Sequence, residues 1–154
     1  FALLPQIVDA VGVPVIAAGG VADGRTAAAA FMLGASAVQL GTAFLRCEEA
    51  ELRDAHRAAL ANADDACTVV TDVISGRPCR YIRNAMIDDL LQSGLQPLPV
   101  PAQQSLTSPL AAAGSRDWTA LTSGQSAVLA KYTNAAELVE QLAAETTQRL
   151  RAFS

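Results

Sequence analysis

The chain has 154 residues, 51% of them hydrophobic, 5% aromatic and 17% charged, with a formal net charge of -4. That is enough apolar material for a real core, which argues against disorder. Lys and Arg stand singly among acids, so there is no basic stripe to neutralise a nucleic-acid backbone, and no run of about 18 apolar residues is present to span a bilayer.

The sequence opens on Phe1-Ala2-Leu3-Leu4 with no Met, basic region or small-residue cleavage site, which reads as a truncated segment and not a leader. Leu3, Leu4, Ile7, Val8 and Val11 recur at helical spacing, and Gly12 supplies a stop. Val15 to Ala18 is a short, wholly apolar run closed by Gly19-Gly20, the pattern of a parallel strand buried on both faces. A helix is predicted from Arg25 to Leu33, with Asp23 as its amino-terminal cap and Gly34 where a carboxyl-terminal cap falls. Ala37 to Leu40 repeats the strand pattern before Gly41-Thr42, which completes a βαβ unit.

Further on, acids at Glu48 to Glu51 followed by Arg53 and Arg57 predict a helix from Cys47 or Glu48 to Ala63. Thr68 to Val73 has strand character, Ser75-Gly76-Arg77-Pro78 is turn chemistry, and Arg80 to Leu91 reads as a helix stopped by Ser93-Gly94. Pro97, Pro99, Pro101 and Pro109 make 96–109 an extended surface loop. Two helices are expected after it, a short one over Pro109 to Ala113 and a longer amphipathic one from Ala135 to Ala152. Cys47, Cys67 and Cys79 match no metal-ligand spacing and are read as reduced, inert thiols, so no metal site and no catalytic cysteine is expected.

Two successive strands that each end in glycine are what a phosphate site at the carboxyl-terminal rim of a (β/α)₈ barrel requires, because glycine lets backbone N–H groups approach an anion. Gly19 and Gly20 in the first loop, and Gln39, Leu40, Gly41 and Thr42 in the second, are therefore the candidate ligand-binding residues. The expected fold class is α/β, the carboxyl-terminal part of a TIM barrel with additional terminal helices. Residues 1–63 would supply the last strand–helix units and 64–154 a segment of loop and helices packed on the barrel. His56 falls mid-helix and is read as a packing or solvent-facing residue. Arg77, Arg80 and Arg83 are expected to pair with Asp88 and Asp89, the alternative being that they orient an anionic substrate, and Trp118 and Tyr132 are expected to be core or interface residues.

The stretches Val13-Pro14-Val15-Ile16-Ala17-Ala18-Gly19-Gly20-Val21-Ala22-Asp23-Gly24 and Phe31-Met32-Leu33-Gly34-Ala35-Ser36-Ala37-Val38-Gln39-Leu40-Gly41-Thr42-Ala43-Phe44-Leu45 resemble the FMN-binding part of nitronate monooxygenases. Ser75-Gly76-Arg77-Pro78-Cys79-Arg80 with Arg83-Asn84, and Gly124-Gln125, are similar as well. The resemblance implies a cytoplasmic flavin enzyme that oxidises alkyl nitronates with O₂ to a carbonyl compound and nitrite, its FMN phosphate held by Gly19, Gly20, Gln39, Leu40, Gly41 and Thr42. A homo-oligomer is left open. It assigns no catalytic residue here, since the family's histidine lies in an earlier loop that no part of this chain matches. An FMN-dependent enoyl-[acyl-carrier-protein] reductase shares the same loops, and a non-catalytic half-barrel is the remaining alternative.

Overall fold

A computed structural model describes residues 2–113 and 116–152, whose elements fall into two compact units, one formed by 1–52 with 126–154 and the other by 53–125. In the first unit, helix α1 (Leu3–Ala10) leads into strand β1 (Ile16–Ala18), helix α2 (Gly24–Met32) and strand β2 (Ala37–Gln39). Strands β1 and β2 pair in parallel with Ile16 opposite Ala37, Ala17 opposite Val38 and Ala18 opposite Gln39. The predicted βαβ unit is therefore present.

Local chemistry explains its boundaries. The Asp23 carboxylate accepts the Thr26 N–H at 2.9 Å while the Thr26 hydroxyl oxygen accepts the Asp23 N–H at 3.1 Å, a reciprocal capping box at the start of α2. At its other end Gly34 takes φ +94°, with the Gly34 N–H on the Phe31 carbonyl and the Ala35 N–H on the Ala30 carbonyl, the Schellman arrangement that left-handed glycine permits. Ala17, Ala30 and Ala35 form a small buried cluster joined by Leu4 and Val38.

One expectation for β1 needs correction. Only Ala17 is buried, and Ile16 is 60% exposed, because helices cover one face of this two-stranded sheet and none of the described residues covers the other.

Beyond β2 a 3-10 turn, Thr42–Arg46, replaces the start of the long helix expected from Cys47. The helix that does form, α3 (Asp54–Ala61), is short. Residues 48 and 49 are drawn off by tertiary bonds: the Glu48 N–H donates to the Thr133 carbonyl at 2.7 Å, and the Glu49 carboxylate accepts the Ala135 N–H at 3.1 Å. The unit closes with α6 (Ala135–Arg151), close to its predicted span, capped by the Asn134 side chain and packed along α2.

In the second unit, strands β3 (Thr68–Thr71) and β4 (Cys79–Ile82) form an antiparallel hairpin around a turn in which Gly76 has φ +80°. Arg80 to Ile82 is therefore strand, not the start of a helix, and the opposite edge of β4 receives residues 121–123 through the Ile82 and Ser123 N–H groups. Asn84 then caps the shorter helix α4 (Ala85–Gln92) by accepting the Ile87 N–H.

The proline-rich stretch also departs from expectation, for α5 (Ala102–Ala112) is a helix that contains Pro109. Two buried side chains fasten it: Gln103 Nε2 donates to the Val73 carbonyl at 2.6 Å and the Thr107 hydroxyl to the Ile74 carbonyl at 2.7 Å. Pro101 stands just before its first turn, where a missing N–H costs nothing. The core of the unit is Val73, Ile74, Tyr81, Met86 and Ile87, with Trp118 packed against it. Each such apolar side chain stabilises the fold by roughly 1.5–3 kcal/mol.

Candidate functional site

The parallel register decides where the two glycine loops emerge. Since Ala18 is opposite Gln39, both strands end at the same level, and the chain leaves them through Gly19-Gly20 and Leu40-Gly41. Gly19 and Gly20 adopt φ +91° and +78°, a left-handed pair that β-branched or bulky residues avoid. All of Gly19, Gly20 and Gly41 are exposed, and a Cβ at any of them would meet nothing within 4 Å. The space over the strand tips is thus open, as a backbone cradle for a ligand requires.

A shared core holds the loops in register beneath that space. Ala22, just after the first glycine pair, is buried with Ala43, Cys47 and Leu138, and Leu40, Phe44 and Tyr132 pack against the same cluster. Alanine at 22 and 43 keeps the two loops close, and Leu138 of α6 closes the cluster from below. Sequence reasoning missed this support; its signal was a small residue on the strand-distal side of each loop.

Helix α2 contributes less to an anion site than its position suggests. Its Thr26 N–H is taken by Asp23 and its Gly24 N–H by Glu145 Oε2 at 3.2 Å, and the N–H groups of Ala22 and Asp23 point to the Thr26 hydroxyl oxygen. A short 3-10 turn, Thr42–Arg46, opens directly after Gly41. Partial burial raises the Asp23 pKa, but bonds from the Thr26 N–H, Arg25 and the Thr26 hydroxyl outweigh it and leave the carboxyl below its ordinary value. Asp23 also pairs with Arg25, at 2.5 Å, so it serves as a cap, as expected.

The remaining candidates are structural. His56 is buried in the second unit with Nε2 donating to the Thr122 carbonyl at 2.9 Å, and burial holds its pKa below the ordinary 6.5 against the opposing effect of that bond. Among the described residues the expected arginine–aspartate pairing is seen only between Arg83 and Asp88, at 2.6 Å; Arg80 sits on strand β4 and donates instead to the Thr68 hydroxyl at 3.0 Å, and Arg77 is exposed at the hairpin turn. The three cysteines are free thiols, and among the described residues no group of His, Cys, Asp and Glu is arranged to hold a metal ion. No described helix is long and apolar enough to cross a membrane.

Comparison with known proteins gives the family and the fold. The chain is 42% identical over 144 residues to a probable nitronate monooxygenase of Staphylococcus haemolyticus, covering 91% of this chain and 40% of that protein. It is 43% identical over 137 residues to the nitronate monooxygenase of Pseudomonas aeruginosa, covering 86% of this chain and 39% of that protein. Nitroalkane oxidase from Streptomyces ansochromogenes superposes with a TM-score of 0.88 at 38% identity, over 99% of this chain and 45% of that one. FabK from Thermotoga maritima superposes with a TM-score of 0.81 at 30% identity, over 99% of this chain and 51% of that one. The chain thus spans about two fifths of the length of the curated relatives it matches and forms part of a (β/α)₈ barrel. A family model described as nitronate monooxygenase matches residues 1–145, and the chain belongs to that family.

Proposed function

We propose that the full chain binds FMN and oxidises alkyl nitronates with O₂ to a carbonyl compound and nitrite, with the cofactor phosphate held by Gly19, Gly20, Gln39, Leu40, Gly41 and Thr42. The observation that carries this reading is the pairing of Ala18 with Gln39, which brings two exposed glycine loops out side by side with open space above them. A dianion there would be met by backbone amides from two directions and by the Thr42 hydroxyl, with no side chain at Gly19, Gly20 or Gly41 to hold it off.

FMN, when bound, supplies the one-electron oxidation of the nitronate. The residues of this chain bind and orient it by its phosphate end. His56 is not assigned as the base, since its Nε2–H is committed to the Thr122 carbonyl, and the family's histidine is assigned to sequence this chain does not match. A cytoplasmic setting and a small anionic substrate accompany the reading. An enoyl-[acyl-carrier-protein] reductase would use the same loops, but the TM-score of 0.88 with nitroalkane oxidase, against 0.81 with FabK, favours the nitronate reading.

The test is purification of the full chain and of its Gly20→Val variant. The wild type is expected to be yellow, to release FMN on denaturation and to consume O₂ with a primary alkyl nitronate. Valine at φ +78° should strip the flavin. A colourless wild type, or a variant that keeps its full complement of flavin, overturns the proposal.

A further inference from the structure

We propose that Glu145, on the last helix, is a positioning residue for the phosphate loop, holding the turn between Gly20 and α2 by accepting the Gly24 N–H; the inference rests on the FMN reading above.

The segment from Ala22 to Thr26 is otherwise closed upon itself. Ala22 and Asp23 donate to the Thr26 hydroxyl oxygen at 3.0 and 3.1 Å, and Thr26 donates back to Asp23 Oδ1 at 2.9 Å. Of these acceptors and the one on Gly24, Glu145 alone comes from outside the segment, 121 residues away in sequence, with its Oε2 at 3.2 Å from the Gly24 nitrogen. A closed knot of hydrogen bonds fixes its own shape but not its direction. The bond from Glu145 ties it by a directional polar contact to a neighbouring element.

Gly24 is built for that approach. A Cβ there would fall 2.2 Å from Glu145 Cβ and 2.8 Å from the Thr146 nitrogen, so only glycine lets the α6 backbone sit this close. Leu138, two helical turns earlier on the same face of α6, shares the buried cluster with Ala22 and Ala43 behind both loops. Helix α6 therefore touches the loop assembly at two places, apolar at Leu138 and polar at Glu145. The pKa of the Tyr132 hydroxyl is raised, by desolvation first and then by the Glu145 and Glu137 charges.

Two effects of Glu145 on a bound phosphate oppose each other. Its hydrogen bond orients the loop, whereas its charge repels a dianion, and substitutions separate them. Glu145→Gln keeps an acceptor and removes the charge; Glu145→Ala removes both. The full chain and both variants are titrated with FMN and with riboflavin, which lacks the phosphate, following quenching of flavin fluorescence, and each apoprotein is melted without flavin. The expected result is that Glu145→Ala lowers the preference for FMN over riboflavin about tenfold, the loss of one hydrogen bond, with riboflavin affinity unchanged. Glu145→Gln should keep the wild-type preference or exceed it. If the alanine variant melts too low to titrate, Glu145→Asp, which retains the charge but shortens the reach, carries the same expectation of lost preference. An unchanged preference in the truncated variants, or an equal fall in the Ala and Gln variants, overturns the inference while leaving the FMN reading intact. A wild type that binds riboflavin as tightly as FMN overturns both.

Discussion

Replacing Gly24 with alanine isolates the contact between α2 and α6. The added Cβ would stand 2.2 Å from Glu145 Cβ and 2.8 Å from both the Glu145 carbonyl carbon and the Thr146 nitrogen. Carbon atoms prefer roughly 3.5–4.0 Å, so the backbone of α6 would have to retreat by about 1 Å or more, and no rotation of a flexible side chain can relieve the clash. Overpacking of this kind costs about 1–3 kcal/mol, and the backbone contacts here place the cost at the upper end. Alanine is the better helix former by up to ~1 kcal/mol, which opposes the clash without cancelling it. The net expectation is a loss of about 2 kcal/mol, or a fall in melting temperature of roughly 4–8 °C. Urea and thermal unfolding of the full chain, followed by circular dichroism, measure it. Gly12→Ala is the control, since a Cβ at Gly12 meets nothing within 4 Å, and it should be neutral. A Gly24→Ala protein as stable as the wild type would refute the close packing of α6 on α2.

Other expectations follow from buried polar groups. Gln103 Nε2 donates to the Val73 carbonyl and Gln103 Oε1 accepts the Leu98 N–H, so Gln103→Leu orphans two backbone groups and should cost about 2–3 kcal/mol by urea unfolding; a loss under about 0.5 kcal/mol would show that α5 is not anchored this way. For His56 the folded pKa lies below 6.5, so the unfolded state binds the proton more readily. Its contribution to stability is complete above 6.5 and is lost as pH falls from there toward the folded value. Urea midpoints should therefore drop between pH 7.5 and 5.5, and His56→Gln should flatten that part of the profile; an unaltered profile in the variant contradicts the assignment.

How legible the structure was in the sequence depended on whether the deciding interaction was local. The β1–α2–β2 unit could be read because its punctuation is short-range: Asp23 and Thr26 cap each other, Gly34 ends the helix, and Gly19-Gly20 and Gly41 follow the strands. The left-handed turn at Gly19 and Gly20 was legible for the same reason. Errors arose where distant partners decided. The acids at Glu48 and Glu49 look like a helix start, yet they bind residues 85 and 86 positions on. Tyr81 and Ile82 fit a helical pattern until β3 and residues 121–122 claim both edges of the strand. Prolines argued against α5, and two side chains reaching back 30 and 33 residues to Val73 and Ile74 outweighed them. Nothing near Gly24 announces Glu145.

The most direct test of the central claim is a crystal structure of the full chain grown with FMN. The account predicts phosphate oxygens within hydrogen-bonding distance of backbone N–H groups from both loops, including Gly20 and at least one of Gly41 and Thr42. A phosphate bound by one loop alone, by the first turn of α2, or away from these strand tips would contradict it.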